Sequence, residues 1–285
     1  MIKDVTFAFI SFGIVGLLAA SYLVRVILRG RARHARTDAD GGSVFLNKAS
    51  MEMGYWLTGP VVDWFESLRM TPNQVTALSL IPATLAGVAG AFGWFGLAAF
   101  LATIAAYGDI IDGLLARKLG ISSDAGEMLD AVVDRFGEFM FLAGLAIYYR
   151  THWMVEGLVL VAIFGSFMFS YVTAKSEAAG VKPPRGSMRR AERAVYLLVG
   201  SAATAVWKLF FGDSASHLLH EFPIILAVTV VGVVANVSVV QRCASIIQTL
   251  RERGAAAGKP PVAVASPSAP SAELIAAQKD QAGSV

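Results

Sequence analysis

Seven apolar stretches, each near the length of a membrane-crossing helix, run through this chain with charged turns between most of them. The first extends from Val5 to about Leu28 and is broken only by Arg25. Six more cover about 75–93, 95–115, 128–149, 153–175, 190–211 and 222–246. A hydrocarbon core needs roughly 20 helical residues to cross it. Inside lipid every backbone polar group must be satisfied within the span, so runs of this length are read as helices. The 285 residues are 55% hydrophobic and 16% charged, and the mean hydropathy of +0.59 suits a polytopic membrane protein better than a soluble domain. The expected fold is all-α: a six-helix transmembrane core, one extra N-terminal transmembrane helix and a surface amphipathic helix.

Charge placement sets the expected topology. The basic run RGRARHAR follows the first span, with Arg29, Arg31, Arg33 and Arg36, where a cleaved signal would carry its charges in front. That predicts a retained anchor with its amino end outside. Arg117 and Lys118, then Lys175, Lys182, Arg185, Arg189, Arg190 and Arg193, then Arg242, Arg251 and Arg253, all fall in turns on one side of the expected bundle. The positive-inside rule puts that side in the cytoplasm of a cell whose inner membrane holds the protein. The net charge of +3 therefore reads as a topology signal, and no nucleic-acid partner is expected. Three regions follow: residues 1–46 as anchor and basic linker, 47–250 as the main membrane domain, and 251–285 as a disordered cytoplasmic tail rich in Ala, Pro and Ser. No internal repeat of the kind that builds many transporters is visible.

From about Asn47 to Met70, aromatics such as Trp56, Trp64 and Phe65 alternate with Glu52, Asp63, Glu66 and Arg69, a pattern for a helix lying in the membrane surface. TPNQVT follows, Thr71 to Thr76, as a helix start with Pro72 in the first turn. The single cysteine, Cys243, excludes an internal disulfide and a cysteine-based metal site. His34, His152, His217 and His220 are placed in loops, sharing no motif.

Against this apolar background stand four aspartates. Asp109 and Asp112 are three apart and Asp130 and Asp134 four apart, so each pair shares a helix face. An ionised aspartate at bilayer depth costs about 2.5–3.5 kcal/mol on insertion scales. Four of them call for a compensating cation. Oxygen ligands with no paired Cys or His favour a hard divalent ion, Mg2+ or Mn2+, over zinc. Gly113 leaves room for a ligand near the backbone, and Arg117 offers a planar fork for phosphate.

The full spacing is Asp109-x2-Asp112-Gly113-x2-Ala116-Arg117-x8-Gly126-x3-Asp130-x3-Asp134, and at each of these positions it resembles the signature of the CDP-alcohol phosphotransferase family, which makes phospholipids. The resemblance implies Asp109, Asp112 and Asp130 as principal metal ligands, with Asp134 close to the metals as the general base. It implies Asp112, Gly113, Ala116, Arg117 and Gly126 as the CDP-binding positions. It also implies CDP-diacylglycerol as donor, CMP as product, a lipid bilayer around the enzyme and a homodimer. SYVTAKSEAAG, Ser170 to Gly180, and GSMRRAERAVYLLVG, Gly186 to Gly200, are similar to the branch that makes phosphatidylinositol phosphate from inositol phosphate. Lys175, Arg189 and Arg193 are then the expected acceptor-binding residues, Arg193 first, with Arg190 facing elsewhere. One departure is Thr173, which stands where that branch usually has a cation; glycerol 3-phosphate or another polyol is the alternative acceptor. A rival of another class is a cation-coupled transporter, since intramembrane carboxylates also mark ion pathways.

Overall fold

A computed structural model describes residues 2–30, 48–182, 188–210 and 217–256. The expected linker residues Arg31, Arg33, His34 and Arg36, the turn residue Arg185 and the tail beyond 256 lie outside the described residues. Among the described residues the secondary structure is helical throughout: α1 Ile2–Arg29, α2 Lys48–Ser67, α3 Pro72–Ala91, α4 Phe95–Leu119, α5 Asp124–Tyr149, α6 Trp153–Ala178, α7 Arg190–Trp207, the single turn α8 His217–His220, and α9 Phe222–Ala256. Every expected span forms a helix. His217 and His220 occupy a helical turn rather than a loop, and α9 continues past the boundary expected near 250.

Local chemistry explains the helix ends that matter for the site. Thr71 caps α3: its hydroxyl accepts from the Gln74 amide, and the Gln74 side chain accepts from the Thr71 amide, a capping box with Pro72 inside the first turn. Gly120 ends α4 in the left-handed conformation, at φ 67°. Ser123 then caps α5, accepting from the Gly126 amide at 3.2 Å. The two aspartate-bearing helices are thus joined by a short turn between a C-terminal glycine and an N-terminal serine.

Six helices form a ring. Going round it, α4 packs on α3, α3 on α5, α5 on α6, α6 on α9, α9 on α7, and α7 returns to α4. Close approach of α3 and α5 depends on two glycines: a Cβ on Gly87 would collide with the Met140 carbonyl, and one on Gly144 with the Gly87 carbonyl. The apolar core occupies one end of the ring, around Phe95, Leu142, Leu145, Tyr149, Val159, Ile224 and Val231. The carboxylates lie toward the other end.

Helix α1 docks on the outside, against α4 and α7. Trp94 provides no side-chain cap for α4. Asp4 of α1 does so instead, accepting from the Leu97 amide at 3.0 Å, and Gly96 lets the Asp4 backbone come close. Outward faces are apolar: Leu78, Ile81, Leu85 and Val88 form an exposed stripe along α3 at helical spacing. Four helices, α3, α4, α6 and α9, are long and apolar enough to cross a membrane by themselves. Helices α5 and α7 are not among them, since charged residues run through the first half of α5 as far as Glu138 and stand in the first turn of α7. The protein is a multi-pass membrane protein.

Candidate active site

The last third of α4 and the first third of α5 converge on α3 and the start of α7. Asp109, Asp112 and Asp130 each direct a carboxylate oxygen to one place, and those three oxygens lie within 4.8 Å of one another. Asp112 is buried, and its Oδ2 accepts a 2.5 Å hydrogen bond from the Thr76 hydroxyl, which the capped start of α3 delivers. Asp130 Oδ1 is buried with no hydrogen-bond partner. An oxygen in that state is costly unless a cation takes it up. Three carboxylates at this separation, one of them with an orphaned oxygen, fit a hard divalent ion.

Asp134 lies next to this trio but turns to a different partner. Arg190 Nη1 donates to Asp134 Oδ2 at 2.5 Å and to Asp109 Oδ2 at 2.8 Å. The expectation that Arg190 faces away is corrected. Helix α7 begins at Arg190 itself, so its side chain projects from the first turn toward α4 and α5. One guanidinium against four carboxylates still leaves the cage strongly anionic.

Arg193, expected to lead in acceptor binding, is engaged within the protein. It is almost wholly buried, its Nε and Nη2 hold both oxygens of Glu138 at 2.6 and 2.8 Å, and its Nη1 donates to the Met188 carbonyl. This fork-to-fork pair ties α7 to α5 one turn beyond Asp134. All three nitrogens are engaged by the protein. Lys175 is exposed at the end of α6, and Arg189 precedes α7, its amide donating to Glu192 Oε2 at 2.9 Å.

The expected nucleotide residues lie on the last turns of α4 and, for Gly126, on the first turn of α5. Gly113 sits beneath Arg117, whose guanidinium would be 3.4 Å from a Cβ at that position. Gly126 faces Asn73 of α3, whose side-chain oxygen would be 3.3 Å from an added Cβ. Lys118 holds α2 against this edge through Asp63 and Glu66. A cavity of about 100 Å³ opens beside the cage, lined by the polar side chains of Asp109, Asp134, Glu138 and Arg190 and by apolar ones that include Ala83, Ala102, Ala106 and Leu197.

Thr173 donates to the Phe169 carbonyl at 2.8 Å, and its hydroxyl receives Arg242 Nη1 from α9 at 2.6 Å. Thr173, the departure from the resembled branch, thus receives a cationic side chain from another helix. Thr76, Glu138, Arg190 and Arg242 were not assigned to the site from sequence. For Thr76 a signal was present, since TPNQVT sets its hydroxyl one turn into a capped helix; the others depend on tertiary packing.

The profile of the CDP-alcohol phosphatidyltransferase family matches residues 69–235. This chain belongs to that family. A phosphatidylinositol phosphate synthase of Cutibacterium acnes is 30% identical over 192 residues, covering 66% of this chain and 90% of that protein. An archaetidylinositol phosphate synthase of Pyrococcus horikoshii is 33% identical over 141 residues, 49% of this chain and 73% of the relative. Among solved structures, Mycobacterium tuberculosis phosphatidylinositol phosphate synthase with CDP-DAG bound shares the fold at a TM-score of 0.58 and 22% identity, covering 66% of this chain and 92% of that one. The same enzyme in complex with manganese and citrate gives a TM-score of 0.59, with 66% and 88% covered. As a CDP-alcohol phosphatidyltransferase the protein is an enzyme of phospholipid synthesis, and the transporter reading falls away.

Proposed function

We propose that this CDP-alcohol phosphatidyltransferase moves the phosphatidyl group of CDP-diacylglycerol onto a hydroxyl of inositol phosphate and releases CMP. The convergence of Asp109, Asp112 and Asp130 beside Asp134 carries this reading. The names of the relatives in Cutibacterium acnes and Pyrococcus horikoshii support the acceptor. Asp109, Asp112 and Asp130 hold Mg2+ or Mn2+, which when bound draws off negative charge from the diphosphate and from the departing CMP. Asp112, Gly113, Ala116, Arg117 and Gly126 take the nucleotide, with Arg117 on a phosphate. Asp134 accepts the proton of the attacking hydroxyl. The hydroxyl oxygen bonds to the lipid-side phosphorus as the bond from that phosphorus to the bridging oxygen breaks, and the electron pair leaves with CMP. Arg190 keeps Asp134 and Asp109 aligned across the cavity. Lys175 and Arg189 attract the acceptor's phosphate.

A cavity lined by both charged and apolar side chains suits a donor that joins a charged head to an apolar body. The basic turns support a mouth at the cytoplasmic face of the inner membrane. Residues 47–250 form the catalytic unit, residues 1–46 anchor it, and the enzyme pairs as the homodimer that the family resemblance implies. The purified protein is expected to release CMP from CDP-diacylglycerol only with Mg2+ or Mn2+ and an acceptor, and mass spectrometry of a mixed-acceptor reaction is expected to show phosphatidylinositol phosphate. CMP release no greater than that of Asp134→Asn would reject the activity. A product made only from glycerol 3-phosphate or an unphosphorylated polyol would reject the acceptor.

A further inference from the structure

Arg25 is the residue that breaks the first apolar run, and the fold gives it a partner in α2. Val5, Ala8, Ser11 and Tyr22 are buried on one stripe of α1 at helical spacing, so the helix is anchored near both ends. Arg25 Nη1 donates to the Gly30 carbonyl at 3.1 Å, which holds the guanidinium at the end of its own helix. The carbon of that guanidinium stands 5.5 Å from the centre of the Trp56 ring, within reach of a cation–π contact. The Tyr22 ring lies 6.0 Å from the same indole, tilted at 47°. Pro60, one turn further along α2, has no amide to give the Trp56 carbonyl, which divides α2 into two parts. The part after Pro60 lies on the nucleotide edge of the site. Val62 is buried there against Val75, Ile111 and Leu115, the last two being chain neighbours of Asp112 and Ala116. Asp63 and Glu66 hold Lys118, which follows Arg117. Trp64 and Leu68 are exposed on this helix, so its seat depends on the elements it packs against, α4 and α1.

We infer that Tyr22 and Arg25 of α1 are positioning residues for the CDP-linked donor: by holding Trp56 they fix α2 against the end of α4 that takes the nucleotide. The inference rests on the donor reading proposed above and gives the extra N-terminal helix a part in substrate binding beyond anchorage. The line of contacts is continuous, from Arg25 to Trp56, along α2 to Asp63 and Glu66, and from there to Lys118 beside Arg117. With the grip on Trp56 lost, α2 is left with its seat on α4, and the nucleotide edge has to be ordered at the moment of binding. Ordering at that moment weakens affinity. Neither Tyr22 nor Arg25 is among the residues of the carboxylate cage, so the proton transfer to Asp134 is untouched. Lys175 and Arg189, at the α6–α7 connection, lie outside this line of contacts.

The test uses full-length protein in vesicles containing CDP-diacylglycerol, with Mn2+ and inositol phosphate. In Arg25→Gln and in Trp56→Leu the KM for CDP-diacylglycerol is expected to rise about threefold to tenfold, the scale of one cation–π contact, while kcat and the KM for inositol phosphate stay within about twofold. Arg25→Lys keeps a cation over the ring and is expected to recover most of the loss. The double variant is expected to be no worse than Trp56→Leu alone, because both changes remove the same contact. A donor KM unchanged in both single variants would overturn the inference and leave the proposed activity standing. So would additive losses in the double variant, or a lowered Tm with both KM values rising together, which marks α1 as an anchor only. If the wild type releases no CMP from CDP-diacylglycerol, the donor reading fails, and titration with CDP decides the inference: weaker binding by Arg25→Gln upholds it, and equal or absent binding overturns it.

Discussion

Asp109, Asp112, Asp130 and Asp134 could be recognised in the sequence because intramembrane acids are costly and their spacing repeats a helical face. Their partners could not. Thr76 lies far along the chain from Asp112, yet its hydroxyl orients the buried carboxylate at 2.5 Å. Groups that orient a metal ligand commonly change metal affinity about 10–100-fold when removed. Thr76→Val is therefore expected to raise the Mn2+ concentration for half-maximal CMP release about tenfold with little change in Tm, measured by metal titration of the purified enzyme. An unchanged metal requirement would show that Asp112 needs no such support. Arg190 illustrates a different difficulty. Its helical phase relative to Arg193 is readable, but which face points at the cage depends on where α7 begins, and that start at Arg190 emerges only with the fold.

Among elements, α3 has the central task. It packs along both aspartate-bearing helices, carries Thr76 to Asp112 and Asn73 to Gly126, and meets α5 through Gly87 and Gly144. A methyl group at 144 has nowhere to go, because it would strike the Gly87 backbone, which cannot rotate aside. Overpacking of this kind costs about 1–3 kcal/mol. Gly144→Ala is expected to lower Tm in detergent and to reduce CMP release together with it, as α3 and α5 part. A variant with wild-type Tm would mean that the helices separate without loss. Helix α1 has a comparable local logic: Asp4 caps α4 from outside the ring, so the extra helix is docked onto the catalytic bundle rather than loosely tethered.

For the whole molecule, the question is which way the ring faces. The last turn of α4 carries Arg117 and Lys118, and Lys175, Lys182, Arg189 and Arg190 flank the α6–α7 connection at the same end. In a Cys243→Ser background, Ser122→Cys is expected to resist a membrane-impermeant maleimide in intact cells, whereas Arg150→Cys at the opposite end reacts. Labelling of Ser122→Cys from outside would invert the topology. From its amino-acid sequence alone this protein is determined to be helical and membrane-embedded, with its acids paired on two helices and a family signature across them. Those features are local: they follow from run length, helical period and residue chemistry within about 26 positions. The tertiary structure decided that Arg190 bridges the acids, that Arg193 is consumed by Glu138, and that Arg242 arrives beside Thr173. Such contacts join helices remote in sequence, and their geometry is set by how the ring closes, which no stretch of the chain encodes by itself.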